Sequence, residues 1–251
     1  MPVPLRKQLI VFDLDETLSL SKTPIDKEMA GLLKKLLARY KVSVISGGLW
    51  EQMRTQLVAP LLECDTPLEN LFIFPTCGAC FYTHHDGGWV CVYENMFTQE
   101  EKKKIFDAFD KALPEAHFAY PKKLYGELIE DRGTQVTFSA FGQRAPLAIK
   151  SKWDPDMAKR KHIIEKLVKY IPEFEIRAGG STSIDVTIQG IDKAYGVRQM
   201  ETHLKIPRHA ILFIGDRLHP GGNDYPVKEL GVQCRSVRGP EDTKMLVRSF
   251  L

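Results

Sequence analysis

Apolar and polar positions along this chain follow two periods, and the switches between them outline its architecture. Gln8-Leu9-Ile10-Val11-Phe12 is a short run, apolar after its first residue, of the kind found in a strand buried on both faces. After Pro24-Ile25-Asp26 the apolar residues Met29, Leu32, Leu33, Leu36 and Tyr40 recur at helical spacing, which predicts a one-sided helix. Val42 to Ile45 predicts a second strand that ends at Ser46-Gly47-Gly48. A helix from about Trp50 to Val58 and a third strand, Leu71 to Phe74, follow. The order β-α-β-α-β predicts a parallel sheet with helices on its faces.

The pattern then changes. Cys80 to Tyr93 reads as a hairpin turning at Asp86-Gly87-Gly88. Thr98-x-x-Glu101 is a capping box that opens a helix to about Leu113. Thr134 to Ala140 predicts a strand, Asp154 to about Tyr170 a charged helix, and Phe174 to Arg177 and Ser183 to Ile188 two more strands. This succession predicts an α+β unit with an antiparallel sheet. From about Gly190 the first pattern returns. A helix from Lys193 to Leu204, a strand from Ala210 to Ile214, a Gly/Pro loop from Gly215 to Asn223, a strand from Gln233 to Val237 and a last helix from Glu241 to Phe250 complete the chain. The expected division is a discontinuous α/β domain, residues 1–80 and 190–251, split by an inserted α+β domain, residues 81–189. No internal repeat or low-complexity segment is present.

Composition agrees with an ordinary globular protein. The chain has 251 residues, 43% apolar and 27% charged, which excludes wholesale disorder and fibrous architectures. The net charge of +3 is too balanced to imply a nucleic-acid or membrane partner. No apolar run approaches the roughly 18 residues of a membrane span. Met1 to Lys7 show no signal-peptide pattern. Five cysteines, an odd number and widely scattered, suit a reducing cytoplasm better than a disulfide framework.

The densest chemistry is Asp13-Leu14-Asp15-Glu16-Thr17, where a buried strand runs out. Period-2 alternation points Asp13 and Asp15 the same way, into the cleft beyond the strand's carboxyl end. Crowded carboxylates repel unless a cation or a shared proton offsets them, and Mg²⁺ is the natural ion for an all-oxygen site that handles phosphate. A solvated acidic loop is the plain alternative for a bare Asp-x-Asp. A second acidic loop, Gly215-Asp216-Arg217-Leu218-His219-Pro220-Gly221-Gly222-Asn223-Asp224, follows another buried strand. Strands of one parallel sheet bring such loops together. Asn223-Asp224 also suits a helix N-cap, and capping and ligation are compatible.

Asp-x-Asp-x-Thr after the first strand, Ser46 after the second, Lys193 at a helix start and Gly-Asp…Gly-Gly-Asn-Asp after a late strand resemble the haloacid dehalogenase superfamily of phosphotransferases. The resemblance implies a Rossmann-like parallel-sheet core with an inserted α+β cap of type C2/IIB. Pro220-Gly221-Gly222-Asn223-Asp224, Gly179-Gly180-x-x-Ser183-x-Asp185 and Pro240-Glu241-Asp242-Thr243 are similar to the eukaryotic-type phosphomannomutases. The resemblance covers nearly the whole chain.

What it implies is specific. Asp13 is expected as the nucleophile that forms an aspartyl-phosphate, and Asp15 as the general acid and base. Mg²⁺ is expected on Asp13, the backbone carbonyl of Asp15 and Asp216, with Asp224 in support. Ser46 and Lys193 are expected to hold the transferring phosphoryl oxygens. Metal and lysine together offset the repulsion between a carboxylate and a phosphate dianion. The substrate-contacting positions carried over from the mutases are Lys22, Arg132, Gln143, Lys150, Ser183 and Asp185, with Arg144 as a substitute for Gln143 if the register slips. The expected partner is a phosphorylated hexose or similar small molecule that the cap closes over. A homodimer through the cap follows from the same resemblance.

Departures from the mutase pattern bear on activity. Lys22 and Lys150 keep charge but lose the guanidinium fork, and Gln143 loses the charge. A mutase must retain a bisphosphate intermediate, whereas a phosphatase needs one phosphate at Asp13. The pattern therefore favours a sugar phosphatase over a phosphomannomutase. A catalytically inactive sugar-phosphate sensor is the alternative of another class, and the complete set Asp13, Asp15, Ser46, Lys193 and Asp216 argues against it. Glu16 stands where these mutases carry glycine and is expected to face solvent. Cys77-x-x-Cys80 is read as buried free thiols, His84-His85 as a hairpin end and His219 as structural. Lys102-Lys103-Lys104 and Lys159-Arg160-Lys161 are read as solvated helix faces without the aromatic platforms of nucleic-acid binders.

Overall fold

The computed structural model describes residues 7–251; the reading of the first six residues as free of a leader lies outside them. The chain forms two compact units, one comprising the chain up to Glu94 with Ile191–Leu251, the other Asn95–Gly190.

The first unit is a seven-stranded sheet. Its strands are β1 (Leu9–Asp13), β2 (Lys41–Ile45), β3 (Leu71–Phe74), β4 (Cys80–His85), β5 (Gly88–Glu94), β10 (Ile211–Gly215) and β11 (Gln233–Ser236), in the order β11-β10-β1-β2-β3-β4-β5. The five strands from β11 to β3 are parallel, and β4 and β5 are antiparallel. The period-2 rule sorts the side chains of the parallel strands onto two faces. Ile10, Phe12, Val42, Val44 and Ile214 pack with α1 (Lys27–Leu37), α2 and α8 (Pro240–Arg248). Leu9, Val11, Ile45, Phe74 and Phe213 pack with α6 (Lys193–Leu204) and α7 (Tyr225–Glu229). The helix α2 runs Trp50–Met53, passes through a π-turn at Arg54–Val58 and continues as Ala59–Glu63, past the expected stop at Val58.

The hairpin β4–β5 corrects the expected domain boundary. It was assigned to the insertion beginning at residue 81. Instead β4 pairs with β3, through Phe72 with Thr83 and Ile73 with Tyr82, and lengthens the core sheet. Strand order follows backbone pairing with the nearest free edge, which a local hairpin pattern does not encode. The division falls after Glu94 rather than after residue 80.

The second unit is a four-stranded antiparallel sheet, β6 (Ile129–Asp131), β7 (Gln135–Ser139), β9 (Ser183–Ile188) and β8 (Phe174–Gly179), in that order. One face, with Val136, Phe138, Ile184 and Val186, packs against α3 (Gln99–Glu115) and α5 (Ala158–Tyr170). A short helix, α4 (Leu147–Trp153), and strand β6 carry too little periodicity to be foreseen. The basic run Lys159-Arg160-Lys161 is not a uniformly solvated face. Arg160 is 3% exposed and its guanidinium bonds Asp154 Oδ2 at 2.7 Å and Gly180 O at 2.7 Å. A buried carboxylate and two strand-end carbonyls replace its water. No helix among the described residues is long and apolar enough to cross a membrane.

Helix α6 lies close to the end of β2 and to the turn that follows β3. A Cβ on Gly196 would sit 2.3 Å from Ile45 Cδ1, and one on Gly78 would sit 2.4 Å from Gly196 Cα. Gly→Ala inside a helix ordinarily gains up to about 1 kcal/mol. Here overpacking reverses the sign, and Gly196→Ala is expected to lower stability by about 1–3 kcal/mol. The urea unfolding midpoint of the two proteins checks this.

Candidate active site

The sheet brings two acidic loops and a helix start to one end of β1 and β10. Asp13 is the last residue of β1 and is 4% exposed. The alternation that buries Leu9 and Val11 against α6 turns Asp13 to the same side. Lys193 is the first residue of α6, whose N-cap Asp192 accepts the Tyr195 N–H at 2.8 Å. Its Nζ is fully buried, 2.5 Å from Asp13 Oδ1 and 2.6 Å from Asp224 Oδ1. Asp224 Oδ2 accepts the Arg217 N–H at 3.0 Å. Asp224 occupies the N-cap position of α7 but makes no side-chain capping bond; its carboxylate turns to Lys193 instead. Gly215 leaves it room, since a Cβ there would lie 2.3 Å from Asp224 Oδ2.

Carboxylate oxygens of Asp13, Asp216 and Asp224 lie within 4.8 Å of one another. Asp216 Oδ1 is buried without a hydrogen-bond partner. One buried ammonium pairs with two of these three carboxylates, and Arg217, largely exposed, approaches the third, Asp216, only at 3.5 Å. Burial pushes the Asp13 carboxyl up and Asp224 adds to this, against the pull of Lys193. Burial alone lowers the Lys193 ammonium, but Asp13 and Asp224 outweigh it and hold it above its ordinary value. An excess of hard oxygen donors with one orphaned oxygen is a donor set that fits a small divalent cation.

Asp15 stands apart from this trio. The strand ends at Asp13, and the Thr17 and Leu18 N–H groups fold back onto Leu14 O, so the alternation expected to carry both carboxylates stops. Asp15 Oδ1 accepts the Lys22 N–H at 2.7 Å and faces Gln56 Nε2 at 3.4 Å. The Lys22 side chain is exposed, and its backbone is left-handed (φ 58°). Glu16 also lies in the left-handed region (φ 59°), where glycine is at ease. It is half-buried rather than solvated, and its Oε1 accepts the Ser21 N–H at 2.9 Å.

Ser46 follows β2, is 2% exposed, and its Oγ accepts the Gly48 N–H at 3.0 Å. Its loop is pinned by the Thr76 N–H on Gly48 O and the Cys77 N–H on Ser46 O. Thr76, Cys77 and Gly78 have φ of 50°, 56° and 92°, a left-handed turn that is costly for the first two. Cys77 and Cys80 form no disulfide, with Cys77 half-buried and Cys80 buried. His85 is exposed beside Asp86 at the hairpin end, and His219 is exposed with Nδ1 on Pro220 O.

In the second unit, Ser183 and Asp185 lie on the β9 face opposite its apolar core, in register with Ser139 and Thr137 of β7. Asp185 Oδ1 accepts Gln135 Nε2 and Thr137 Oγ1, each at 2.8 Å. Ser139 Oγ meets Ser183 Oγ at 3.1 Å and the Gln143 side-chain amide. Lys150 Nζ donates to Gln143 O at 2.6 Å. Gln143, Lys150, Ser183 and Asp185 therefore converge. Arg132 follows β6 and grips Glu130 at 2.6 Å and 2.7 Å. Arg144 is exposed. Gln135, Thr137 and Ser139 escaped the sequence reading as site residues, although their alternation with Val136 and Phe138 marks a polar sheet face.

The profile of the eukaryotic phosphomannomutases matches residues 29–251. The chain belongs to that family. Phosphomannomutase 1 of Mus musculus is 26% identical over 250 residues, spanning 96% of this chain and 91% of the mouse protein. Among solved structures, an N-terminally truncated Plasmodium falciparum IMP-nucleotidase superposes with a TM-score of 0.72 at 18% identity, over 97% of this chain and 70% of that one. A haloacid dehalogenase-like hydrolase of Bacteroides thetaiotaomicron gives 0.65 at 15% identity, over 96% and 98%. These share the fold. As a phosphomannomutase-family chain with the haloacid dehalogenase fold, the protein is a phosphatase or phosphohexomutase of that superfamily.

Replacing Lys193 by Met leaves Asp13 and Asp224 buried without their cation. The variant is expected to lose about 3–5 kcal/mol. Urea unfolding near neutral pH measures the loss, and Mg²⁺ is expected to restore part of it.

Proposed function

We propose that the protein is a Mg²⁺-dependent phosphotransferase that works through an aspartyl-phosphate on a phosphorylated sugar and releases inorganic phosphate. The carrying observation is the carboxylate trio Asp13, Asp216 and Asp224, two of them buried against Lys193, with Asp15 engaged separately by the Lys22 N–H. Asp13, Asp216 and Asp224, with the backbone oxygen of Asp15, would hold Mg²⁺, which when bound would supply charge screening between the phosphate and the attacking carboxylate. Asp13 attacks phosphorus, and the bond from phosphorus to the sugar oxygen breaks. Asp15 gives that oxygen its proton. Asp15 then takes a proton from the water that attacks the aspartyl-phosphate, which frees phosphate and restores Asp13. Lys193 offsets negative charge at Asp13, and Ser46 orients phosphoryl oxygens. Arg132, Gln143, Lys150, Ser183, Asp185 and Lys22 are the proposed sugar-phosphate contacts. The lack of any disulfide among the five cysteines supports a reducing compartment, the cytoplasm, as its setting.

Hydrolysis is favoured because cations suited to a second phosphate are few. Gln143 is neutral, the Lys150 ammonium is engaged by Gln143 O, and Arg132 is paired with Glu130. Family membership favours the second reading, a mutase that interconverts mannose 1-phosphate and mannose 6-phosphate.

Phosphorus NMR with Mg²⁺, mannose 1-phosphate and a trace of glucose 1,6-bisphosphate separates the two. Growth of inorganic phosphate is expected; growth of mannose 6-phosphate without it establishes the mutase. In either case Asp13→Asn is expected to lose turnover while melting as a folded protein. Full activity in that variant rules out the mechanism.

A further inference from the structure

The Asp15 carboxylate is engaged through one oxygen. Oδ1 accepts the Lys22 N–H at 2.7 Å and faces Gln56 Nε2 at 3.4 Å, and Oδ2 has no hydrogen-bond partner among the described residues. Gln56 lies in the π-turn of α2, between the apolar Met53 and Leu57, and is 3% exposed. Its Nε2 also donates to Thr23 O at 3.0 Å, and its backbone oxygen accepts the Ile25 N–H at 2.8 Å. A carbonyl and a carboxylate only accept, so the NH₂ end must face Asp15 and Thr23. The other end, Oε1, is buried without a partner. An unpaired buried oxygen costs about 1–3 kcal/mol, which an apolar side chain of the same length avoids. The π-turn is a second local irregularity at the same residue, and such turns recur at functional sites. Two breaches of folding rules that meet on one amide, aimed at one carboxylate, indicate a functional return.

We propose that Gln56 is a positioning residue for Asp15. With the Lys22 N–H it holds Oδ1, so that Oδ2 is the oxygen presented to the leaving group. The 3.4 Å separation is the looser geometry usual before substrate binds. This inference rests on the reading of Asp15 as general acid, and it adds the device that aims it.

The test is leaving-group dependence. For aryl phosphates kcat/KM reports the steps through aspartyl-phosphate formation. Phenolate is a strong base and needs a proton as it leaves; 4-nitrophenolate is a much weaker one and needs little help. In Gln56→Leu and in Gln56→Met, which keeps an unbranched chain, kcat/KM for phenyl phosphate is expected to fall about tenfold or more. For 4-nitrophenyl phosphate it is expected to fall less than about threefold. Equal losses on both substrates, or none on either, overturn the proposal, because a merely structural role does not sort substrates by leaving group. Asp15→Asn is measured alongside. If it sorts the two substrates and the Gln56 variants do not, the Gln56 inference alone fails. If Asp15→Asn does not sort them, the assignment of Asp15 as the acid fails and this inference with it.

Discussion

The buried ammonium of Lys193 is the interaction on which the first unit is organised. An amine taken wholly out of water is tolerated only beside opposite charge, and here Asp13 and Asp224 lie within 2.6 Å of it. To reach both, the start of α6 must come down onto the ends of β1 and β10. That proximity leaves no room for side chains at Gly78 and Gly196, where the helix passes the end of β2 and the turn after β3. It also sets the left-handed turn Thr76-Cys77-Gly78 against the helix, and this turn pins the Ser46 loop through two backbone hydrogen bonds. One charge thus fixes the position of Asp13, the Ser46 loop and the loop bearing Asp224. Asp216 is left with an orphaned oxygen beside a cluster that already holds more carboxylates than ammonium groups.

The second unit uses a different device for the same end, rigid presentation of polar groups. Its sheet is apolar on one face and carries the ladder Gln135, Thr137, Ser139, Ser183 and Asp185 on the other. Cross-strand hydrogen bonds hold the ladder's side chains in single orientations. At the β8–β9 turn, Arg160 and Asp154 form a buried pair whose guanidinium ties down Gly179 O and Gly180 O, just ahead of Ser183. A lysine has no fork to span those partners, so the arginine is specific to this geometry.

The same contrast bears on activity. Retention of a doubly phosphorylated intermediate calls for forked, uncommitted cations, and the arginines Arg132, Arg160 and Arg177 of the second unit are already paired, which leaves the exposed Arg144 as its forked cation outside those pairs. Hydrolysis at Asp13 demands nothing beyond what surrounds Lys193 and Asp15. Family membership and local charge therefore point in different directions.

The parallel core, the chain's return to it and the acidic loops were legible in the sequence, because a strand buried on both faces leaves a continuous apolar run and because Asp-x-Asp and Gly-Gly-Asn-Asp are local signals. Asp13, Asp216 and Asp224 could be picked out that way, and Ser46 and Lys193 through the family resemblance alone. Their division of labour could not. That Asp224 pairs with Lys193 instead of capping its helix, that Asp15 leaves the direction of Asp13, and that Gln56 reaches back to it are matters of distance across elements. The hairpin's membership in the core sheet was equally invisible, since an antiparallel pair has the same pattern wherever its free edge docks. Sequence periodicity determines which face of an element is apolar; only the tertiary structure decides which element that face meets, because burial and charge compensation are settled between segments distant along the chain.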